Sequence, residues 1–408
     1  MLKQPNMKVL QINAVYGTGS TGTIVKNIEN LCFQSDIECY VASPDKTVLN
    51  ARHGYKIGNI IDHKLHALLS RIHGMQAYFS DIPTNNLLKW IEQIKPDIVH
   101  LHNLHSNYIY LNHLMSFLAN KDIRTIITLH DCWFFTGGCS HFTSIHCNKW
   151  LNDCTECPRQ KEDTPALFIK HSDKMLADRK RFINAIPRLT IVGASKWIAS
   201  ECKKSVLSSC NNICYIHNGF DLNIFKPTNS NIREQLNLEG KYVILAPASK
   251  WYLPINKSAL DYFVSHLPSD TVMVLFGSNP THNSSYSNII EIGHIYEPKK
   301  MAELYSMADV LVNCTREDTL SGINIECQAC GTPVITYDST GCRETVDEIC
   351  SKTVSVGDYK QLFECVNRIR SIGKPFLTEQ CVKWCSTHFE LKDSYTHYLD
   401  LYKKVLED

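Results

Sequence analysis

Short apolar runs of strand length alternate with longer segments of helical pattern along most of this 408-residue chain. Such alternation is typical of βαβ units and predicts parallel sheets. A first series of runs begins at MKVLQIN, and a second begins at KYVILAPAS. Two series, each with its own crossovers, predict two doubly wound α/β domains. The chain is also about two to three times as long as a typical single domain.

The stretch NGFDLNIFKPTNSN separates the two series and carries Gly, Pro and Asn without helical periodicity. The predicted domains are therefore 1–217 and 218–390, with a cysteine-rich insertion at 132–158 in the first. Residues 391–408 carry apolar side chains at helical spacing, which predicts a closing amphipathic helix.

Composition and charge exclude several classes of function. The formal net charge is +1 and the cations are scattered, so nucleic acid is not an expected partner. The first residues are polar and the longest apolar runs have strand length, so we expect neither a signal peptide nor a membrane span. Most of the eighteen cysteines lie singly in apolar runs, where reduced thiols behave as small hydrophobes. A cytoplasmic protein is expected.

The segment ADVLVNCTREDTLSGINIECQACGTPVITYDSTGCRETV, from Ala308 onward, is the most informative. Its strand ends in a loop with Asp318, and Ser321 and Gly322 precede a helix that carries Glu326. The N–H groups and dipole of such a helix N-terminus favour a pyrophosphate. Glu326 can accept hydrogen bonds from ribose hydroxyls, and Asp318 can accept one from a sugar hydroxyl. A nucleotide-sugar site is therefore predicted.

Asp318 and Glu326 have two alternative interpretations, a loop acid with an ordinary helix acid, and the acid/base pair of a glycosidase. Such carboxyls lie about 5 to 10 Å apart, whereas eight residues span about 12 Å in a helix and more when extended. Hydrolysis is therefore disfavoured. A departing nucleoside diphosphate also needs cations, and Lys250 and Lys257 in ASKWYLPINKS can supply them; the alternative is that both are solvated surface lysines.

Glycines and histidines mark the ends of predicted strands in the first series. Gly17, Gly19 and Gly22 form G-x-G-x-x-G, although Asp45 comes late for the acid that a dinucleotide site needs. A tight strand-to-helix turn is the other interpretation.

His130 follows a strand at the edge where ligands collect, so a polar cleft role is expected, with simple packing as the alternative. Strand alternation places His100 and His102 on one face. Packing or acceptor contact is favoured there over metal binding.

Cys139, Cys147, Cys154 and Cys157 lie together in the insertion, the last two as C-x-x-C. Four thiolates can complete a tetrahedral zinc site. Three interpretations stay open, namely a structural zinc, reduced packing thiols, and a redox or disulfide state.

The stretch from Asp318 to Val334 resembles the family 4 retaining glycosyltransferases. That family carries an acidic residue, seven intervening residues, a glutamate and an ACGTPV-like stretch, which DTLSGINIE and ACGTPVI match here. LYSMADV is similar to the usual lead-in, and NGFD to the hinge motif. The family usually has glutamate where Asp318 stands, but the polysaccharide-assembly branch has similar aspartates and similar four-cysteine insertions.

The resemblance implies the GT-B fold, with two Rossmann-like domains facing a central cleft and the last helix crossing back to the first. It implies transfer of a hexosyl unit from a nucleotide sugar to a glycan or lipid-linked acceptor with retention. The implied setting is bacterial surface polysaccharide biosynthesis, such as O-antigen or lipopolysaccharide assembly. Catalysis in the family needs no cofactor. A lipid-linked acceptor would place the enzyme peripherally on the inner face of the cytoplasmic membrane.

The resemblance also implies roles for particular residues. His130 and Asp318 are expected to be catalytic, one on each side of the transferring sugar. The expected donor-binding residues are Gly19, Gly22, Lys250, Lys257, Ser321, Gly322 and Glu326. Two alternatives remain, a nucleotide-sugar epimerase of the same fold and a catalytically silent nucleotide-binding protein.

Overall fold

The computed structural model describes residues 7–159, 162–163, 165–168, 171–277 and 286–407. The chain divides into two compact units. The amino-terminal unit comprises Met1–Asn218 and Tyr395–Asp408, and the carboxyl-terminal unit comprises Gly219–Ser394.

The amino-terminal unit is built on a parallel sheet. Its strands within the described residues are β1 (Lys8–Ile12), β2 (Glu38–Ser43), β3 (Gly54–Lys56), β4 (Ile98–Leu101), β5 (Arg124–Leu129), β6 (Leu189–Gly193) and β7 (Asn212–Tyr215). The helices between them are α1 (Gly19–Gln34), α2 (Ile60–His73), α3 (Asp81–Ile94), α4 (Leu111–Asn120), α5 (Ser172–Ala185) and α6 (Lys196–Lys204). The strand order is β3-β2-β1-β4-β5-β6-β7, and all the pairs are parallel.

The carboxyl-terminal unit repeats this plan. Its strands within the described residues are β8 (Tyr242–Pro247), β9 (Thr271–Phe276), β10 (Ile289–Ile292), β11 (Val310–Asn313), β12 (Val334–Tyr337) and β13 (Lys352–Val354). Its helices are α7 (Ile232–Gln235), α8 (Ala248–Trp251), α9 (Lys257–His266), α10 (Pro298–Met307), α11 (Gly322–Ala329), α12 (Tyr359–Ile372) and α13 (Pro375–His388). The parallel strands lie in the order β10-β9-β8-β11-β12-β13.

Both faces of the second sheet are buried, as expected where helices cover a parallel sheet on each side. On β8, Ile244 and Ala246 belong to one apolar cluster, whereas Val243 and Leu245 belong to another. The strand therefore reads as a continuous apolar run rather than as an alternating one.

A final helix, α14 (Leu391–Glu407), closes the described chain, and from Tyr395 onward it belongs to the amino-terminal unit. Tyr398 and Tyr402 are fully buried, and the Arg124 guanidinium donates to the carbonyl oxygen of Val405 at 2.7 Å. The predicted amphipathic helix is thus part of the first unit's core.

Each sheet has a point at which the order of its strands reverses, between β1 and β4 in the first and between β8 and β11 in the second. Ligands of open α/β sheets bind beyond the carboxyl ends of the strands at such points. The two doubly wound sheets confirm the predicted fold class. The edge strands β3 and β13 were not predicted from the sequence, because a strand of three residues is too short to give a recognisable apolar run.

Candidate active site

The carboxyl end of β11 leads into the N-terminus of α11, which lies at the reversal point of the second sheet. Ser321 is the buried N-cap residue and Gly322 begins the helix. A Cβ atom on Gly322 would lie 3.1 Å from the ring of Phe220, so glycine lets the helix start close to that ring. The arrangement presents backbone N–H groups at a helix N-terminus, the geometry that favours a phosphate.

Asn313 fixes this helix start from below. Its side-chain amide donates to Ser321 Oγ at 3.1 Å and to Asn324 Oδ1 at 2.8 Å, and its oxygen accepts the Thr315 N–H at 3.2 Å. Asn324 in turn donates to Thr345 Oγ1 at 3.0 Å. Because these amides are buried and paired, the loop and the helix start are held in one arrangement.

Asp318 lies on the loop between β11 and α11, and the turn at Thr340 holds its backbone. The Asp318 N–H donates to Thr340 Oγ1 at 3.0 Å, and the Gly341 N–H donates to the Asp318 carbonyl oxygen at 3.1 Å. Thr340 has a φ of 49°, in the left-handed region that a threonine rarely adopts. The loop that carries Asp318 is therefore anchored at a strained turn.

Glu326 lies on the second turn of α11 and is paired with a tyrosine of α10. The Tyr305 hydroxyl donates to Glu326 Oε2 at 2.9 Å. Desolvation raises the pKa of Glu326 to about 7, although the Tyr305 hydrogen bond acts in the opposite direction. A carboxyl that titrates near neutrality beside a helix N-terminus is a candidate for hydrogen-bonding to a ligand.

Two predicted cations, Lys250 and Lys257, and one further cation lie along this part of the second unit. Lys250 and Asp318 both act on the pKa of Cys342, so both lie near that thiol. The Lys257 ammonium pairs with Asp261 of its own helix at 2.7 Å and its side chain is 71% exposed, so its contact with a donor stays a prediction. Arg316, which sequence reasoning missed, donates to Asn256 Oδ1 at 3.0 Å from the same loop as Asp318. That bond joins the loop of Asp318 to the residue that precedes Lys257.

The loop after β1 forms the corresponding feature of the first unit. Gly17 and Gly19 have φ values of 69° and 63°, and Gly19 is exposed at the start of α1 with open space where a Cβ would stand. Gly22 is buried, and its Cβ would lie 3.1 Å from the Gly17 nitrogen. Gly22 therefore serves the packing of helix on loop, whereas Gly19 is the glycine that a ligand can approach.

Asn13 joins this loop to the next strand of the sheet. Its side-chain amide donates to the Val15 carbonyl oxygen at 2.8 Å, and its oxygen accepts the Asn103 N–H at 3.1 Å. The sequence offered one signal for this role, a polar residue directly after the apolar strand β1.

Three histidines line the carboxyl ends of β4 and β5. His102 Nδ1 lies 3.0 Å from His130 Nε2, and His102 Nε2 lies 3.2 Å from Gln11 Oε1. The rings of His100 and His102 are 4.0 Å apart, which fits the predicted shared face. Desolvation lowers the pKa of His130 to about 4, with Asp131 acting in the opposite direction, and desolvation also lowers that of His102. Desolvation lowers the pKa of His100 as well, to about 3. All three rings are therefore neutral at physiological pH.

The four cysteines of the insertion are present as thiols. Burial raises the pKa of Cys139 to about 12 and that of Cys154 to about 11, so both are protonated at neutral pH. Among the described residues, no three His, Cys, Asp or Glu side chains are grouped to hold a metal ion. A structural zinc at Cys139, Cys147, Cys154 and Cys157 therefore stays a prediction.

The predicted site residues fall into two groups, one in each unit. Asp318, Ser321, Gly322 and Glu326 lie on the β11–α11 loop and on α11, and Lys250 and Asp318 both lie near Cys342. His130 contacts His102 at the carboxyl ends of the first sheet's strands. Sequence reasoning missed partners such as Tyr305 and Thr340, which lie more than twenty residues from the residues that they contact. In the part of the chain that the structure describes, no helix has the length and apolar character to cross a bilayer.

Comparison with known proteins bears on both units. The family described as Glycosyl transferases group 1 matches residues 253–371. The chain is 24% identical over 278 residues to WcaC of Escherichia coli strain K12, described as a colanic acid biosynthesis glycosyl transferase. That match covers 66% of this chain and 66% of WcaC, slightly under two thirds of the relative's length.

Solved structures resemble nearly the whole chain. A glycosyltransferase from Rickettsia africae matches with a TM-score of 0.67 at 13% identity, covering 98% of this chain and 99% of that one. Anabaena HepE in complex with UDP-glucose matches with a TM-score of 0.62 at 13% identity, covering 98% and 100%. The resemblance to the glycosyltransferases is thereby confirmed: this chain has the GT-B fold and carries a glycosyl transferases group 1 domain over residues 253–371.

Proposed function

We propose that this protein is a retaining glycosyltransferase that transfers a hexosyl unit from a nucleotide sugar to a glycan or lipid-linked acceptor. One observation carries the proposal. At the reversal point of the second sheet, a helix N-terminus fixed by buried amides is combined with Glu326, whose pKa lies near neutrality. This combination suits a ligand with both a diphosphate and a hydroxyl-bearing ribose.

In the proposed reaction the diphosphate lies at the start of α11, where Ser321 and Gly322 leave N–H groups directed at it. Glu326 accepts hydrogen bonds from the ribose, and Asp318 from the sugar. The bond between the anomeric carbon and the diphosphate oxygen breaks, and a bond to the acceptor oxygen forms. The acceptor proton passes to the departing diphosphate, whose charge is stabilised by Lys250 and Arg316.

Relatives support the class of substrate. HepE was solved with UDP-glucose, and WcaC is described with colanic acid, a polysaccharide. We therefore propose a role in the assembly of a bacterial surface polysaccharide, with catalysis in the cytoplasm. Retention and a lipid-linked acceptor are carried over from the family resemblance.

The test begins with UDP-glucose as the first of a panel of nucleotide sugars. A matching donor should raise the thermal midpoint of the whole chain, because binding stabilises the folded state by mass action. Labelled donor should then yield product only when a glycan or lipid-linked sugar is added, and NMR should show the donor's anomeric configuration in that product. Release of a free epimer from donor alone would identify an epimerase. Binding without turnover of any donor would identify a silent nucleotide-binding protein.

A further inference from the structure

Helix α2 buries polar residues and exposes apolar ones, the reverse of an ordinary surface helix. The residues that it buries are polar, namely His66 and Ser70. Its exposed residues include Ile61, at 73% exposure, and Leu65 and Leu68, at 52% and 54%. Surface helices normally bury the apolar stripe and expose the polar one.

Polar contacts hold the buried face of the helix in this orientation. His66 Nδ1 lies 2.6 Å from Ser80 Oγ, and His63 Nε2 lies 3.0 Å from the Ile57 carbonyl oxygen. A capping box between Asn59 and Asp62 fixes the helix start. The exposure of the apolar side is thus built into the fold of the amino-terminal unit.

The exposed apolar side forms a continuous stripe. The exposed Ile61, Leu65 and Leu68 and the half-buried Ile72 follow a spacing of four, three and four residues, which places them on one helix face. The neighbouring segment extends it, because the Leu167 N–H donates to the Arg71 carbonyl oxygen at 2.7 Å and Leu167 is 68% exposed. Contiguous exposed apolar surface of this kind marks an interaction site.

Charge identifies the partner. Lys64 and Arg71 are both exposed. Lys64 lies one helical turn before Leu68 and Arg71 one turn after it, so both are next to the stripe. The acid of the helix, Asp62, faces back to the backbone of the N-cap, where its carboxylate accepts the Asn59 N–H at 2.9 Å. Long cationic side chains beside an apolar stripe can lay their stems on acyl chains while their heads reach lipid phosphates.

We propose that α2, with its stripe of Ile61, Leu65, Leu68 and Ile72, lies in the surface of an anionic phospholipid bilayer. The stripe enters the boundary between headgroups and acyl chains, and Lys64 and Arg71 pair with the phosphates. This surface deepens the proposed function, on which its link to a lipid-borne acceptor rests. It brings the amino-terminal unit to the bilayer that such an acceptor occupies.

The test uses the whole chain and vesicles of phosphatidylcholine, with or without phosphatidylglycerol. We expect the protein to sediment with the anionic vesicles and much less with phosphatidylcholine alone. The double variant Leu65→Ser/Leu68→Ser should weaken this binding roughly tenfold or more. Lys64→Ala/Arg71→Ala should weaken it and remove most of its dependence on salt. Phe376→Ser is the matched control, because Phe376 is 82% exposed on α13, and it should bind vesicles as the native protein does.

Two further measurements separate the outcomes. After subtraction of the spectrum of the native protein, which has six tryptophans, the emission of a Leu65→Trp variant should shift to the blue on anionic vesicles. An unshifted difference spectrum would overturn the proposal. Native protein that ignores anionic vesicles, but forms dimers that the Leu65→Ser/Leu68→Ser variant lacks, would assign the stripe to a second copy instead. UDP-glucose binding without vesicles is measured in parallel. If it fails while vesicle binding holds, the proposed donor is wrong and the surface stands.

Discussion

His102 determines which nitrogen of His130 carries the proton. Gln11 Nε2 donates to the Val25 carbonyl oxygen at 3.1 Å, so its Oε1 accepts from His102 Nε2. Because His102 is neutral, its Nδ1 accepts, and His130 Nε2 must donate to it across 3.0 Å. The neutral His130 therefore keeps its Nδ1 without a proton, as an acceptor for a hydroxyl group.

His130→Ala should lower kcat by about 10²- to 10³-fold, more than it raises the KM for donor, if His130 acts mainly in the transition state. His102→Ala should have a smaller effect, about tenfold, because His130 stays in place and loses only the contact that fixes its tautomer. Steady-state kinetics give the split, and ¹⁵N NMR of the ring reports the tautomer. Native turnover in both variants would show that neither His130 nor His102 takes part in the reaction.

Asp318→Ala should likewise lower kcat by about 10²- to 10³-fold while the protein still binds donor. The anchors of the loop are backbone atoms of Asp318, so the substitution leaves them in place. Isothermal titration with the donor and turnover assays separate the two effects. A raised KM with unchanged kcat would assign Asp318 to ground-state binding.

Glu326→Ala should weaken binding of the nucleotide sugar by about 1 to 3 kcal/mol, because ribose hydroxyls lose their acceptor. Hydroxyls donate to a carboxylate, and the pKa of Glu326 is about 7 in the unliganded protein. Donor affinity should therefore increase as the pH rises from about 6 to about 8 and Glu326 loses its proton. Glu326→Gln should abolish that increase. Tyr305→Phe removes a contact that lowers this pKa, so it should move the rise to higher pH. The same pH dependence in native and Glu326→Gln proteins would contradict this role.

Stability should fall in mild acid because of the buried histidines. The pKa of His100 is lowered to about 3 by burial, against an ordinary value near 6.5, so folding favours its neutral form. This stabilisation is complete above pH 6.5 and is lost as pH falls toward 3, at about 1.4 kcal/mol per pH unit for the one group. His100→Asn should flatten the fall of the thermal midpoint between pH 6.5 and 4.5, and His397→Asn, on the exposed side of α14, should not. Parallel curves for native and His100→Asn would show that another group titrates.

The zinc hypothesis predicts about one equivalent of metal in purified protein, released by Cys154→Ser/Cys157→Ser with loss of stability rather than of turnover. Elemental analysis and thermal unfolding measure both. Metal-free protein of undiminished stability would leave the cysteines as packing thiols, in keeping with the raised pKa of Cys139 and Cys154.

The predictable parts of this protein are those in which neighbours in sequence act together. Apolar runs predict strands such as β8, and the spacing of Asp318, Gly322 and Glu326 predicts a loop and a helix start. Tyr305 and Gln11 could not be assigned roles, because each acts on a residue that only the fold brings near. Lys257 pairs with Asp261, one helical turn away in its own helix, and its predicted place at a donor site stays a prediction.

The connection of α14 to the amino-terminal unit has a consequence for how the chain is made. Residues 395–408 leave the ribosome only after the whole of 219–394, yet Tyr402 supplies a hydrogen bond of 2.7 Å to His100 in the first sheet. The unit translated first thus reaches its complete core last. A nascent chain stalled before Tyr395 would expose the side of β4 and β5 that Tyr398 and Tyr402 cover, and that early, unfinished surface is where chaperones would be needed.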